Sequence, residues 1–427
     1  MTADPFAGRL PASASDTAWL LQLCLARVAF ATMFTAYSAV LPLLRRDWGM
    51  TAGQAGLVQS AYHLGFLTSL FAVGFLSDRH GARRTYLATS LAAAGSAILF
   101  ALLARGFASA ALLYGLTGLC SGGSYTPGLA ILSERFAGRG EGRAMGLYLG
   151  AASLGYAANL FLSGAALPVA GWRGAFVAAA LGPVIGTALG FWTLRHTPNV
   201  VHPPAPERPR SALSEVLRDR PAMLSIWGYT FHAWELLGMW AWLPAFLATA
   251  ASSGAEAGSG AVSKGAAFTA LTYLVAVAGS VLGGSLSDRF GRTAVILWAS
   301  SASLACSFAF GWLLGMPLPL VVAVAVLYNC SGVADSSIHS TVLAELVHPR
   351  RLGATYSLRS VLGFGAGAVA PWVFGLVLDW GRGPLASERL AWGLAWASLG
   401  LGGLLGPVVT LRLRRLPEAR RLAGGRR

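Results

Sequence analysis

Few side chains in this sequence could carry chemistry, because 55% of its residues are hydrophobic and only 11% charged. Arg27 stands about nine residues inside an apolar run, or about 13 Å deep at about 1.5 Å per residue if that run is helical. An arginine held away from water binds a carboxylate or similar anion through its planar fork of donors. Tyr37 follows on the same face. His232 and Glu235 are three residues apart, and Asp335 and His339 four, so each pair shares a helix face. Buried carboxylates and imidazoles can take and release a proton. His63 lies beside Gln59 and Tyr62, and Tyr125 beside Ser121 and Ser124. Structural alternatives stand next to these readings. Arg27 could form an ion pair with Glu235 or Asp335, and His63 could be a packed, satisfied histidine. Trp234, Trp240 and Trp242 read as a lipid belt or helix packing.

The elements that must position these groups are membrane helices. Mean hydropathy is +0.59, and a soluble globule could not form a polar skin from so few charges. A span needs about 20 mainly apolar residues. Twelve such runs occur, over 19–44, 53–76, 85–104, 107–132, 143–168 and 174–194, then 222–250, 266–286, 293–314, 318–346, 353–378 and 390–411. Each is expected to be helical, since lipid offers no partner to a free amide. The sequence thus predicts an all-α membrane protein. Its bundles of six helices cover 1–194 and 222–411, joined by a cytoplasmic linker at 195–221 and followed by a basic, unstructured tail at 412–427. Residues 214–220 of the proline-rich linker are expected to form a short surface helix, and the Gly/Ser/Ala-rich 252–264 a flexible loop. The four cysteines lie in apolar runs without CxxC spacing, which argues against disulfides and metal binding.

Most of the 32 basic residues fall on one side of these spans, so both termini are expected in the cytoplasm. The far side keeps Arg45, Arg46, Arg105, Arg173, Lys264, Arg382 and Arg389. The net charge of +15 then reflects topology and anionic lipid rather than nucleic-acid binding.

One stretch occurs twice. Gly74-Phe75-Leu76-Ser77-Asp78-Arg79-His80-Gly81 returns 210 residues on (288 minus 78) as Gly284-Ser285-Leu286-Ser287-Asp288-Arg289-Phe290-Gly291. Each copy is a short polar elbow between two spans. Arg83 and Arg84 follow the first and Arg292 the second. The doubled elbow, twelve spans, central linker and the Gly171-Trp172-Arg173-Gly174 turn resemble the major facilitator superfamily over nearly the whole chain. The resemblance implies two pseudo-symmetric bundles rocking about a midplane site, with spans 1, 4, 7 and 10 lining a cavity. Tyr114 stands where span 4 of the family often has arginine, and span 5 lacks the Gly-Pro pair of drug exporters. The stretch from His232 to Met239 is similar to the cyanate and nitrate permease branch.

These readings converge on a non-enzymatic secondary transporter in a bacterial inner membrane. It is expected to act as a monomer, without cofactors, and to couple a small organic or inorganic anion to protons. Proton-driven efflux of an amphipathic drug or metabolite is the alternative. The substrate and proton residues are Arg27, Tyr37, His63, Tyr125, His232, Glu235, Asp335 and His339. A carboxylate at a helix C-terminus opposes the macrodipole and needs a partner. Asp78 is therefore expected to meet the start of span 11 and Arg359 when the cavity faces outward, latching the elbow side. Asp288, Arg289 and Arg292 are expected to meet span 5 near Glu134 and Arg143. Asp78→Asn should reduce transport while leaving the amount of protein in the membrane unchanged. Full transport by that variant would remove the latch.

Overall fold

The computed structural model describes residues 14–137, 140–201, 211–252, 257–383 and 387–426. The linker residues 202–210 and the loop residues 253–256 lie outside them. All regular structure among the described residues is helical. The first half contains α1 (Ala14–Asp47), α2 (Ala52–His80), α3 (Ala82–Leu103), α4 (Phe107–Ser121), α5 (Thr126–Phe136) and α6 (Glu141–Leu194). A short α7 (Ser211–Arg218) follows. The second half contains α8 (Arg220–Ala251), α9 (Ser259–Phe290), α10 (Arg292–Phe310), α11 (Leu318–Ala334), α12 (Ser336–Leu346), α13 (Pro349–Arg382), α14 (Glu388–Gly403) and α15 (Leu405–Arg415).

Nine helical stretches among the described residues are long and apolar enough to cross a membrane. The twelve spans follow because α6 holds two, meeting at Gly171 with φ 62°. The α4–α5 pair and α8 supply the remaining two.

The two elbows have the same backbone. Gly81 (φ 86°) and Gly291 (φ 98°) each end a helix and start the next, a conformation that only glycine adopts without strain. Their surroundings differ. Asn199 from the linker bridges the first elbow, donating to His80 O at 2.8 Å and accepting from Arg84 N–H at 3.0 Å. Arg83 donates to Leu194 O at 2.8 Å, so it caps the end of α6. At the second elbow Arg292 bonds Asp288, Ser287 and Glu345, the last at 3.0 Å. Glu345 ends α12, so Arg292 is paired here within its own half.

Two expectations are corrected. The tail is ordered through Arg426. After α15 a 3-10 stretch, Pro417–Gly425, buries Ala419 and Leu422 against Val295, Ile338 and Leu413. Leu416, Ala419 and Leu422 recur every third residue, the repeat of a 3-10 turn, so a basic segment gains one apolar face. The loop after α8 is also shorter than expected, since residues 259–264 already belong to α9.

The halves meet on the side opposite the elbows. The backbone of α2 passes so close to α13 that a Cβ on Gly56 would lie 2.1 Å from Pro371 O. Ser263 of α9 donates to Gly164 O of α6 at 2.6 Å. At the outer end, Asp379 of α13 accepts from Ala52 N–H at 2.8 Å and Gly53 N–H at 2.7 Å. Thr51 Oγ1 takes the next donor, Gln54 N–H, at 3.1 Å. The first three orphan amides of α2 are thereby satisfied, two of them by the other half of the protein. Asp379→Ala should weaken this closure by about 1–2 kcal/mol. In a background without native cysteines, a cysteine at buried Ala55 should then react faster with a membrane-impermeant thiol reagent; an unchanged rate would exclude Asp379 as a clamp.

Candidate functional site

The fourth span breaks at mid-depth. Gly122-Gly123 disfavours helix, and Pro127 cannot donate to Gly123 O, so α4 passes through a 3-10 turn (Gly122–Ser124) before α5. The corresponding span of the second half breaks between α11 and α12, with Asp335 at the junction. Broken helices at membrane depth expose backbone only where it lines a site or meets protein partners. Here Ser124 O accepts from Tyr148 Oη at 2.5 Å.

Arg27 lies against the first break. It is 6% exposed and donates from Nη1 to Ser124 Oγ at 2.7 Å. Its guanidinium lies 5.5 Å from the Tyr125 ring centroid and 5.8 Å from that of Tyr148, within cation–π range. Its Nε has no partner, and no carboxylate pairs with it among the described residues. The expected alternative, an ion pair with Glu235 or Asp335, is not formed.

Those acids sit inside the second half. Glu235 Oε1 accepts from Ser303 Oγ at 2.7 Å and Ser307 Oγ at 2.8 Å, both on α10. Asp335 Oδ1 lies 3.0 Å from His232 Nδ1, and Oδ2 lies 3.5 Å from His339 Nε2. Ser336 Oγ is 2.9 Å from His232 Nε2 and fixes that ring. The ligating atoms of His232, Asp335 and His339 fall within 4.8 Å of one another, close enough for a cation. The space beside them is only about 10 Å³, near the minimum for one water, which suits a proton better than a hydrated ion. Tyr229 connects this cluster to the seam. Its ring lies 5.7 Å from His232 and 6.0 Å from His339, with the Arg359 guanidinium 4.0 Å over it. Tyr125 stands in the field of both Arg27 and Arg359.

Two helical turns beyond Arg27, Phe34 starts an aromatic layer spanning both halves. Its ring lies 4.4 Å from Tyr156, 5.4 Å from His63 and 5.8 Å from Trp240, and Trp240 lies 5.3 Å from Tyr273. Trp240 also donates to Asn329 Oδ1 at 3.0 Å, and Trp242 to Pro371 O at 2.9 Å. These two tryptophans therefore belong to the seam and the core. The lipid-belt reading fails because helical spacing alone does not show which neighbour covers a face.

Arg27 and Tyr125 come together, as do His232, Asp335 and His339. Tyr37 does not join them; it is fully buried in the first half against Tyr114. His63 joins the aromatic layer, with Gln59 Nε2 3.1 Å from its Nε2. Asp78, Arg79 and Arg143 are exposed, and Asp78 has no ion pair among the described residues. Arg359 donates to Ser340 Oγ at 2.6 Å instead of meeting Asp78. Tyr148 and Tyr156 were not read from sequence as site residues, and Tyr229, Ser303, Ser307 and Asp379 were not singled out, because a tyrosine, serines and one terminal aspartate carry no spacing signal there.

The chain matches the Major Facilitator Superfamily over residues 23–371 and belongs to that family. It is a multi-pass membrane transporter, not an enzyme. The probable sulfoacetate transporter SauU of Cupriavidus necator is 25% identical over 411 residues, covering 88% of this chain and 90% of that protein. The gentisate transporter of Corynebacterium glutamicum is 27% identical over 369 residues, covering 81% and 78%. The gallate transporter of Pseudomonas putida is 25% identical over 406 residues, covering 86% of each. These relatives lend no support to the cyanate–nitrate branch. The crystal structure of a bacterial homolog of the human lysosomal transporter Spinster, inward-facing and unoccupied, superposes with TM-score 0.75 at 17% identity, over 97% of this chain and 99% of that one.

Removing the Glu235 carboxylate would take the acceptor from Ser303 Oγ and leave Ser307 Oγ with Tyr328 Oη alone. Glu235→Ala should therefore cost about 2–4 kcal/mol of stability, while Glu235→Gln, which keeps an acceptor, should stay near wild type. Thermal unfolding in detergent reads the difference. Equal stability of the two variants would show that Ser303 and Ser307 do not depend on that carboxylate.

Proposed function

We propose that this protein is a proton-coupled carrier of a small organic anion, acting by alternating access in a bacterial cytoplasmic membrane. The elbows and both termini face the cytoplasm in this reading, as the arginine distribution suggests. One observation carries it: Arg27 is buried and has a serine hydroxyl and tyrosine rings around it but no carboxylate among the described residues. A buried guanidinium without a counter-ion is costly at membrane depth and is best compensated by an anionic substrate. Relatives named for sulfoacetate, gentisate and gallate support an organic acid.

Closure between α2 and α13, with the aromatic layer below it, corresponds to a state open to the cytoplasm. Arg27, Tyr125 and Arg359 then form the anion site on the cytoplasmic side of that layer. The imidazole–carboxylate cluster holds the coupling proton, and Tyr229 with Arg359 transmits its charge state to the substrate. Asp78 is free in this state and pairs with the start of α13 and Arg359 in the opposite one.

The test is uptake of labelled gentisate, gallate and sulfoacetate into proteoliposomes, with and without an inward proton gradient. Uptake of at least one acid, stimulated by the gradient, is expected. Arg27→Lys should lower it by about tenfold or more through loss of the planar fork, and Arg27→Ala should abolish it. Unimpaired uptake by Arg27→Ala would overturn the assignment. Extrusion of an amphipathic drug or metabolite without anion uptake would favour the efflux reading.

A further inference from the structure

The positive-inside bias makes basic residues on the far side exceptions that need a reason. Of the seven far-side cations named from the sequence, Arg45, Arg46 and Arg382 line one cavity of about 550 Å³. That volume lies within the range of small-molecule sites. The cavity spans both halves at the far end of the seam, between the end of α1, the end of α8 and the start of α14, and Trp242 and Trp392 form apolar walls.

The acids nearby among the described residues are already committed. Glu388 binds Arg382 through two bonds, Nε to Oε1 at 2.5 Å and Nη2 to Oε2 at 2.9 Å, and accepts from Trp392 Nε1 at 3.1 Å. Asp379 has both oxygens on the start of α2. Asp47 pairs with exposed Arg46 at 3.1 Å and accepts from Trp172 Nε1 at 2.8 Å. Arg45 is left without an ion pair or side-chain hydrogen bond among the described residues, and Arg382 Nη1 is buried without a partner. Low-dielectric walls around such a charge focus its field on the cavity.

We propose that this cavity is a second anion site, an outer vestibule that takes the carboxylate or sulfonate of a small organic acid on the far side of the aromatic layer. Arg45 is the principal donor, with Arg46 and Arg382 Nη1 beside it. Arg45 and Arg46 belong to the first half and Arg382 to the second, so the principal donors stay together on the first half while the halves move. The inference rests on the anion reading above and deepens it.

Thr249 lines the same cavity, so a cysteine there reports its charge without any transport. In purified protein lacking the native cysteines, Thr249→Cys should react with an anionic methanethiosulfonate, the sulfonatoethyl reagent, about tenfold faster than with the cationic trimethylammonioethyl reagent. Adding Arg45→Gln should bring that ratio close to one, and Arg45→Lys should retain most of it. A ratio already near one, or one unmoved by Arg45→Gln, would overturn the vestibule. In proteoliposomes, Arg45→Gln should raise KM for an anion supplied from the far side several-fold more than it lowers the maximal rate. Wild-type anion uptake with KM unmoved by Arg45→Gln would overturn the vestibule and leave the Arg27 site standing. If no organic acid is carried at all, the anion reading fails and the labelling ratio still decides the charge of the cavity.

Discussion

The conformation of this protein depends on how the first turn of α2 is satisfied. Its leading amides have no partner within the helix, and Asp379 of the other half accepts two of them. A carboxylate at a helix N-terminus benefits from both the hydrogen bonds and the dipole. The bond can exist only while the halves touch at that end. Gly56 and Gly375 let the two backbones approach to the distance the bond needs. Closure there sets everything further in: the aromatic layer can form across the seam, and Arg27 and Arg359 come to lie on its elbow side.

Charge inside the membrane is handled differently in the two halves. In the second, each acid has its own partners: serine hydroxyls for Glu235, imidazoles for Asp335. In the first, Arg27 has one neutral hydroxyl and two aromatic faces. The acids of the second half are satisfied within it, whereas Arg27 in the first half and Arg359 in the second each have a serine hydroxyl and aromatic faces but no carboxylate among the described residues. That contrast is the physical basis for reading the imidazole–carboxylate cluster as the proton-handling group and the two arginines at the seam as the anion-binding one.

The duplicated elbows have diverged in the same sense. Arg292 ties Asp288 to Glu345, and the tail adds a bond from Ala423 N–H to Glu345 at 2.8 Å. The position equivalent to Arg292 in the first elbow is Ala82, so Asp78 lacks that partner across the glycine turn. The second elbow is held within its own half, and the first is left available to the other half.

Hydropathy and the repeat determined the spans, the two-fold plan and the glycine turns, because those follow from what lipid forbids and from local backbone geometry. The adjacency of Asp335 and His339 was also legible, since four residues make one helical turn. Direction around a helix was not. Sequence spacing put Glu235, Tyr37 and Arg27 alike at membrane depth, but only packing showed that Glu235 meets α10, Tyr37 meets Tyr114 and Arg27 meets the broken fourth span. The Asp379 bond to α2 joins residues more than three hundred positions apart. No local pattern encodes such a contact, because it exists only once two separately folded bundles have chosen which end of their seam to close.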